Sequence, residues 1–173
     1  EVHIASTDAD GAGRIALDAP WLSRAAGCEI HLFPRQFSEA LKFSRPLASW
    51  LAENVHGFDA VHIHAVFSHA CVAAARAASR AGVPFLVRPL GTVDAWSLEQ
   101  KKVRKRVFFA AGAMRLLDSA AGVHCTSEQE EEGVLSLVPS ARTFVSPLGV
   151  ESPGRKSDRG AQPEAIVFLG RLH

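Results

Sequence analysis

The sequence has no CxxC pair, no excess of charge of either sign and no apolar run long enough to span a bilayer. The last absence excludes a membrane-spanning helix. Lys and Arg number 19 against 18 Asp and Glu, a net charge of +1, which excludes a polyanion binder by bulk charge while leaving local patches open. The three cysteines, Cys28, Cys71 and Cys125, are odd in number, far apart and in or beside apolar stretches. They read as buried free thiols in a reducing compartment. Glu1-Val2-His3-Ile4 offers neither the basic start nor the apolar stretch of a signal peptide, and the sole methionine is Met114, so the chain reads as processed or as a fragment. No internal repeat or low-complexity tract is visible. What is present, 47% apolar and 21% charged residues over 173 positions, fits a globular core and excludes a disordered chain. The length suits one domain, or one domain with part of another.

Short apolar strands alternate with helical segments, the pattern of a parallel α/β sheet. Strands are expected at Glu1 to Ser6, Glu29 to Pro34, Ala60 to His64, Val83 to Arg88, Gly122 to Thr126 and Thr143 to Ser146, with a loop rich in Asp, Gly and Ala from Thr7 to Asp18. Ser44-Arg45-Pro46 opens a helix with Leu47, Trp50, Leu51 and Val55 on one face, ended by Gly57. Phe67 to Ala81 is an Ala-rich helix stopped by Gly82. Ser97 with Gln100 and Ser127 with Glu130 have capping-box spacing, opening helices towards Phe109 and Val138, and a further helix covers about Ala111 to Ala120. From Glu151 to Pro163 the composition turns to Pro, Gly and charge with no large apolar residue, which reads as a linker. Ala165 to Leu169 then reads as the first strand of a second domain, leaving residues 1–150 as the first.

In an open parallel α/β sheet, ligands bind beyond the carboxyl ends of the strands. That rule selects His64 after the third expected strand, Arg88, Gly91, Thr92 and Asp94 after the fourth, Thr126, Ser127 and Glu128 after the fifth, and Gly170 and Arg171 after the last. Ser127 reads equally as an N-cap, Glu128 as a complement to the helix dipole and Gly91 as a turn residue. The helix N-terminus behind Ser127 also suits an anion. Arg88 ends an apolar strand and needs a buried partner or a ligand. The guanidinium of Arg171 suits two phosphate oxygens. His62 and His64 share one face of a strand, a spacing open to metal binding, with His69 nearby. No carboxylate lies among them and no second ligand cluster stands out, so core packing and a strand-end position outweigh a metal site there.

The stretch from Phe58 to His173 resembles the GT-B glycosyltransferases of family 4, the group 1 glycosyltransferases. The matching runs are Phe58 to His64, Val83 to Trp96, Thr126 to Glu130, Ser146 to Glu151 and Phe168 to His173, and their order and spacing make the match specific. The resemblance implies two Rossmann-like domains facing a cleft, each a parallel sheet with helices on both faces. Residues 1–150 would be the acceptor-binding domain, 151–163 the interdomain linker and 164–173 the first strand of a donor-binding domain. By the same resemblance His64, Arg88, Gly91, Thr92, Ser127 and Glu128 match cleft-facing acceptor-side positions, and Gly170-Arg171 matches the Gly-Arg whose Arg contacts donor phosphate. Leu90 stands where many members carry a His before the turn glycine, and Leu148 stands where an Asn is common. The family's first strand and glycine-rich loop are expected before Glu1, and its paired-Glu motif after His173.

The activity so implied is retaining transfer of a hexose from a nucleotide-sugar donor to a glycan or lipid-linked acceptor, with no cofactor, no obligatory metal and polysaccharide biosynthesis as the setting. The chain alone is expected to be inactive. Lys101, Lys102, Arg104, Lys105 and Arg106, followed by Phe108 and Phe109, form a basic cluster that reads as a solvated helix face or as a patch for anionic lipid or a pyrophosphate-linked acceptor. Nucleic acid suits so short a patch less well. The expected location is the cytoplasm, with peripheral contact at the inner membrane face as the option the cluster adds. Two other classes fit parts of the sequence: a non-catalytic acceptor-binding module or one part of a split enzyme, and a metal hydrolase built on His62 and His64.

Overall fold

The structure is a computed structural model, and it describes residues 1–16, 27–37, 41–93, 112 and 114–149. The helix expected after Ser97, the linker, the strand at 165–169, Asp94, the basic cluster, Gly170 and Arg171 lie outside the described residues.

Strand β1 (Val2–Thr7) pairs in parallel with β4 (Cys28–Phe33), residue for residue from Val2 opposite Cys28 to Thr7 opposite Phe33. Between them β2 (Ala9–Asp10) and β3 (Gly13–Arg14) close a small antiparallel turn. The strand expected at Glu1 to Ser6 is therefore present, followed by a glycine-bearing turn within residues 9–14. The main sheet has four parallel strands in the order β5 (Val61–His64), β6 (Phe85–Arg88), β7 (Gly122–Cys125) and β8 (Thr143–Val145).

The helices form where the sequence supplies caps. Helix α1 (Arg45–Asn54) starts at Ser44, whose Oγ accepts from the Leu47 N–H at 3.3 Å, with Pro46 in the first turn. A 3₁₀ turn (Val55–Gly57) replaces the last helical turn expected there. Helix α2 (His69–Ala81) is capped by Ser68 and ends at Gly82, whose φ of 70° is the left-handed conformation a glycine stop requires. Helix α3 is Met114–Ser119, and α4 (Glu128–Leu137) is capped by Ser127.

Alternation along the strands sends Ile63, Phe85, Val87, Val123 and Cys125 into the core, where they meet Leu47, Leu51 and Val55 from α1 and its 3₁₀ turn, Cys71, Ala75 and Ala78 from α2, Leu116 and Leu117 from α3, and Val134 from α4. Small side chains on α2 let α1 and the sheet approach it closely. Trp50 on α1 carries the β1–β4 pair, its ring 4.5 Å from His31 and 5.6 Å from Phe33. The result is a parallel sheet flanked by helices, the Rossmann-like architecture that the alternating pattern implies.

Candidate functional site at the carboxyl ends of the strands

The other parity of the main sheet carries chemistry instead of core. His62 and His64 on β5, Leu86 and Arg88 on β6, His124 on β7 and Phe144 on β8 share that face. The register sets His64 opposite Arg88, and one step beyond Val87 opposite Val123 it brings Arg88 level with His124. The rings of His62 and His64 lie 4.5 Å apart, and His62 stacks on His124 at 5.7 Å. His124 in turn stacks on Phe144 at 5.1 Å. Gly122 makes room for this: a Cβ there would meet the Phe144 ring at 3.1 Å and Leu86 Cδ2 at 3.2 Å.

The expectation that one of His62 and His64 packs under a helix is not met among the described residues, for both are exposed. His124 is the member that sequence reasoning missed. Its signal was parity: in Gly122-Val123-His124-Cys125 it alternates with two buried residues, as His62 and His64 alternate with Ile63.

The row has a defined proton arrangement. The carbonyl of Ser146 only accepts, so the 2.8 Å contact makes His124 Nε2 the donor. Although these rings reach solvent, partial desolvation, then the neighbouring His64, His124 and Arg88, hold the His62 imidazole below its usual 6.5. Burial, then Arg88 and His124, do the same for His64. At neutral pH both rings are therefore uncharged and Arg88 supplies the positive charge. Among the described residues the Arg88 Nε is buried without a hydrogen-bond partner. The depressed values carry a stability consequence. The unfolded chain takes up these protons first, so stability is fully present above about 6.5 and is lost as pH falls through the lower folded values. Thermal melts between pH 5 and pH 7.5 should show Tm rising with pH. In the double variant His62→Ala, His64→Ala that slope should shrink, leaving the part due to His69, whose pKa burial and Arg76 also lower.

The loops beyond the row are tied together by one buried side chain. Glu130, 3% exposed, accepts from the Gly91 N–H at 2.6 Å, from the Thr126 N–H at 2.7 Å and from the Thr126 hydroxyl at 2.9 Å. The capping box expected at Ser127 is thus half formed. Ser127 Oγ accepts from the Glu130 N–H at 3.2 Å, but the carboxylate leaves its own helix end to bridge the loops after β6 and β7. Leu90 and Gly91 both take left-handed φ values, 58° and 67°, in a turn closed by the Thr92 N–H to the Pro89 carbonyl at 3.3 Å. For Gly91 this conformation is free of Cβ conflict, whereas Leu90 holds it under strain, with its side chain exposed. Ala65 after β5 is left-handed too, at 77°. Such strain gathers where a loop must hold one shape.

The structure thus brings His64, Arg88, Gly91, Thr92, Ser127 and Glu128 to the carboxyl ends of three adjacent strands. Ser127 spends its hydroxyl on the helix cap, and Glu128, Glu130 and Glu131 fill the first turn of α4. That end of the rim favours hydroxyl donors over an anion. Nucleophilic thiol chemistry has no support nearby: burial with Glu130 and Glu131 pushes the Cys125 thiol up to about 12, and burial raises that of Cys71. At the carboxyl ends of β1 and β4, Asp8 Oδ1 accepts from the Arg35 N–H at 2.6 Å and Asp8 Oδ2 from Arg14 at 2.9 Å. The Arg35 guanidinium reaches the carbonyls of Gly11, Ala12 and Gly13. This clamp, joining residues 27 apart, left no local trace in the sequence.

Among the described residues, no helix is long and apolar enough to cross a membrane. Searches of curated proteins and of solved structures give no significant match. A family model described as glycosyl transferase 4-like domain matches residues 1–149, a span that contains every described residue. With the parallel sheet and the polar rim at its carboxyl edge already in place, that match settles the family: the chain belongs to the glycosyl transferase 4-like domain family.

Proposed function

We propose that the chain serves the acceptor side of a retaining glycosyltransferase that moves a hexose from a nucleotide-sugar donor to a glycan or lipid-linked acceptor. The observation that carries this reading is Arg88. Its buried Nε has no partner among the described residues, and it sits between two histidines at the edge where α/β sheets bind ligands. A guanidinium with free donors fits an acceptor phosphate or a sugar oxygen, and the neutral imidazoles of His62 and His64 add hydrogen-bonding groups without competing charge. Gly91, Thr92, Ser127 and Glu128 line the neighbouring rim. By resemblance, Gly170 and Arg171 contact donor phosphate and no obligatory metal takes part, while the charge of Lys101, Lys102, Arg104, Lys105 and Arg106 suits anionic lipid or a pyrophosphate-linked acceptor.

The test is calorimetric binding of a pyrophosphate-linked glycan acceptor to the purified chain and to Arg88→Ala. Loss of charge-assisted hydrogen bonds predicts an affinity lower by about 10-fold to 100-fold, with an unchanged circular dichroism spectrum. Equal affinity in the variant would remove Arg88 from the site and the main support for this reading.

A further inference from the structure

A second constellation lies on the β1–β4 pair, away from the carboxyl-end rim. His3 on β1 and Glu29 on β4 are direct register partners, and His31 follows two residues along, on the same face. His3 Nδ1 and His31 Nε2 stand 3.0 Å apart. The Glu29 carboxylate straddles them, with Oε1 at 3.4 Å from His31 Nε2 and Oε2 at 3.6 Å from His3 Nδ1. Among the described residues this is the one group of three His, Cys, Asp or Glu side chains whose ligand atoms converge within 4.8 Å.

We propose that His3, Glu29 and His31 form a site for a zinc-like divalent transition-metal ion. Tetrahedral zinc with bonds of 2.0–2.1 Å has ligand-to-ligand edges of about 3.3 Å. The two imidazole nitrogens stand 3.0 Å apart, close to that length, and each faces its own carboxylate oxygen, Oε1 at 3.4 Å from His31 Nε2 and Oε2 at 3.6 Å from His3 Nδ1, before any ion has drawn them in. Two imidazoles and one carboxylate are a zinc donor set, leaving the fourth position for water. The surroundings fit as well. The Trp50 ring lies 4.5 Å from His31, and the Phe58 ring meets His3 edge-on at 5.0 Å, so an apolar wall backs both imidazoles. The side chains of His3 and His31 are about four-fifths buried, whereas that of Glu29 is 56% exposed, an open path for an ion from solvent. Glu1 Oε1 stands 3.9 Å from His3 Nε2, where an outer carboxylate orients a ligating imidazole. The ion would bind both strands of the pair and thereby fasten β1 to the body through Trp50.

The experiment uses the purified chain, stripped with a chelator and titrated with Zn²⁺ alone. Calorimetry should give one equivalent bound, and a hundredfold excess over Kd should raise Tm by about 5 °C or more. Glu29→Gln, at an exposed position, keeps the fold but removes a ligand. Because outer-shell changes alone lower metal affinity about 10-fold to 100-fold, affinity should fall at least that far, and likewise in His3→Gln. His62→Ala should bind Zn²⁺ as the parent does. No binding by the parent chain would leave the cluster as a hydrogen-bonded imidazole pair and overturn the proposal. So would equal affinity in both ligand variants, or loss of binding in His62→Ala.

Discussion

Glu130→Ala is expected to lower the stability of the chain by about 3 kcal/mol, a fall in Tm of about 6–12 °C for a domain of this size. The carboxylate accepts three hydrogen bonds while nearly excluded from water. Alanine would leave the Gly91 N–H, the Thr126 N–H and the Thr126 hydroxyl without their acceptor, and an unsatisfied buried donor is more damaging than a hydrogen bond never made. Glu130→Gln retains one amide oxygen but turns an NH₂ towards a donor, so its loss should fall between the parent and alanine. The discriminating readout is local. In amide NMR spectra the Gly91 and Thr126 resonances should move together in both variants, while those of α1 stay in place. A variant as stable as the parent, with Gly91 unmoved, would show that the bridge does not hold the loops.

Leu47→Ala should have an effect of similar size for a different reason. Leu47 is 2% exposed and is among the largest fully buried side chains, on the helix that joins the β1–β4 pair to the rest of the core. Removing three carbons from such a site costs about 2–5 kcal/mol, the spread reflecting how far the surroundings can collapse. Because Ser44 continues to cap α1 through the Leu47 backbone, the helix start survives and the loss is one of packing. Urea denaturation followed by far-ultraviolet circular dichroism would measure it as a lower midpoint at unchanged slope. A midpoint within error of the parent would mean that α1 does not hold the core as described.

Much of this fold was legible because its signals are local. Ser44, Ser68 and Ser127 cap the helices they precede, Gly82 stops α2, and the parity of Ile63 and Val87 marks the buried face. The rule that ligands gather beyond carboxyl strand ends selected His64, Arg88 and Gly91 for the same reason: it needs only the order of strands. What escaped depends on register between distant segments. His124 became part of the row once β7 was set beside β6, and Glu130 was read as a cap because nothing local announces the Gly91 N–H, 39 residues away. The His3, Glu29 and His31 cluster was missed while His62 and His64 drew attention. Alternating residues on one strand advertise themselves, whereas a triad split between parallel strands does so only after pairing.

The Glu130 bridge and the turn after β1 also differ in how they answer to salt. The Glu130 bridge is buried and dry, so ionic strength hardly reaches it. The turn after β1 depends on Asp8, Arg14 and Arg35, and the Arg14 side chain in that ion pair is 56% exposed. At about 0.1 M salt the Debye length is about 10 Å, so a contact of 2.9 Å is weakened only where solvent reaches it, on the Arg14 side, while Asp8 is 13% exposed. The Arg14 contact is therefore the one that salt reaches, while Asp8 keeps its hydrogen bond from the Arg35 N–H and the loops beyond β6 and β7 keep their shape.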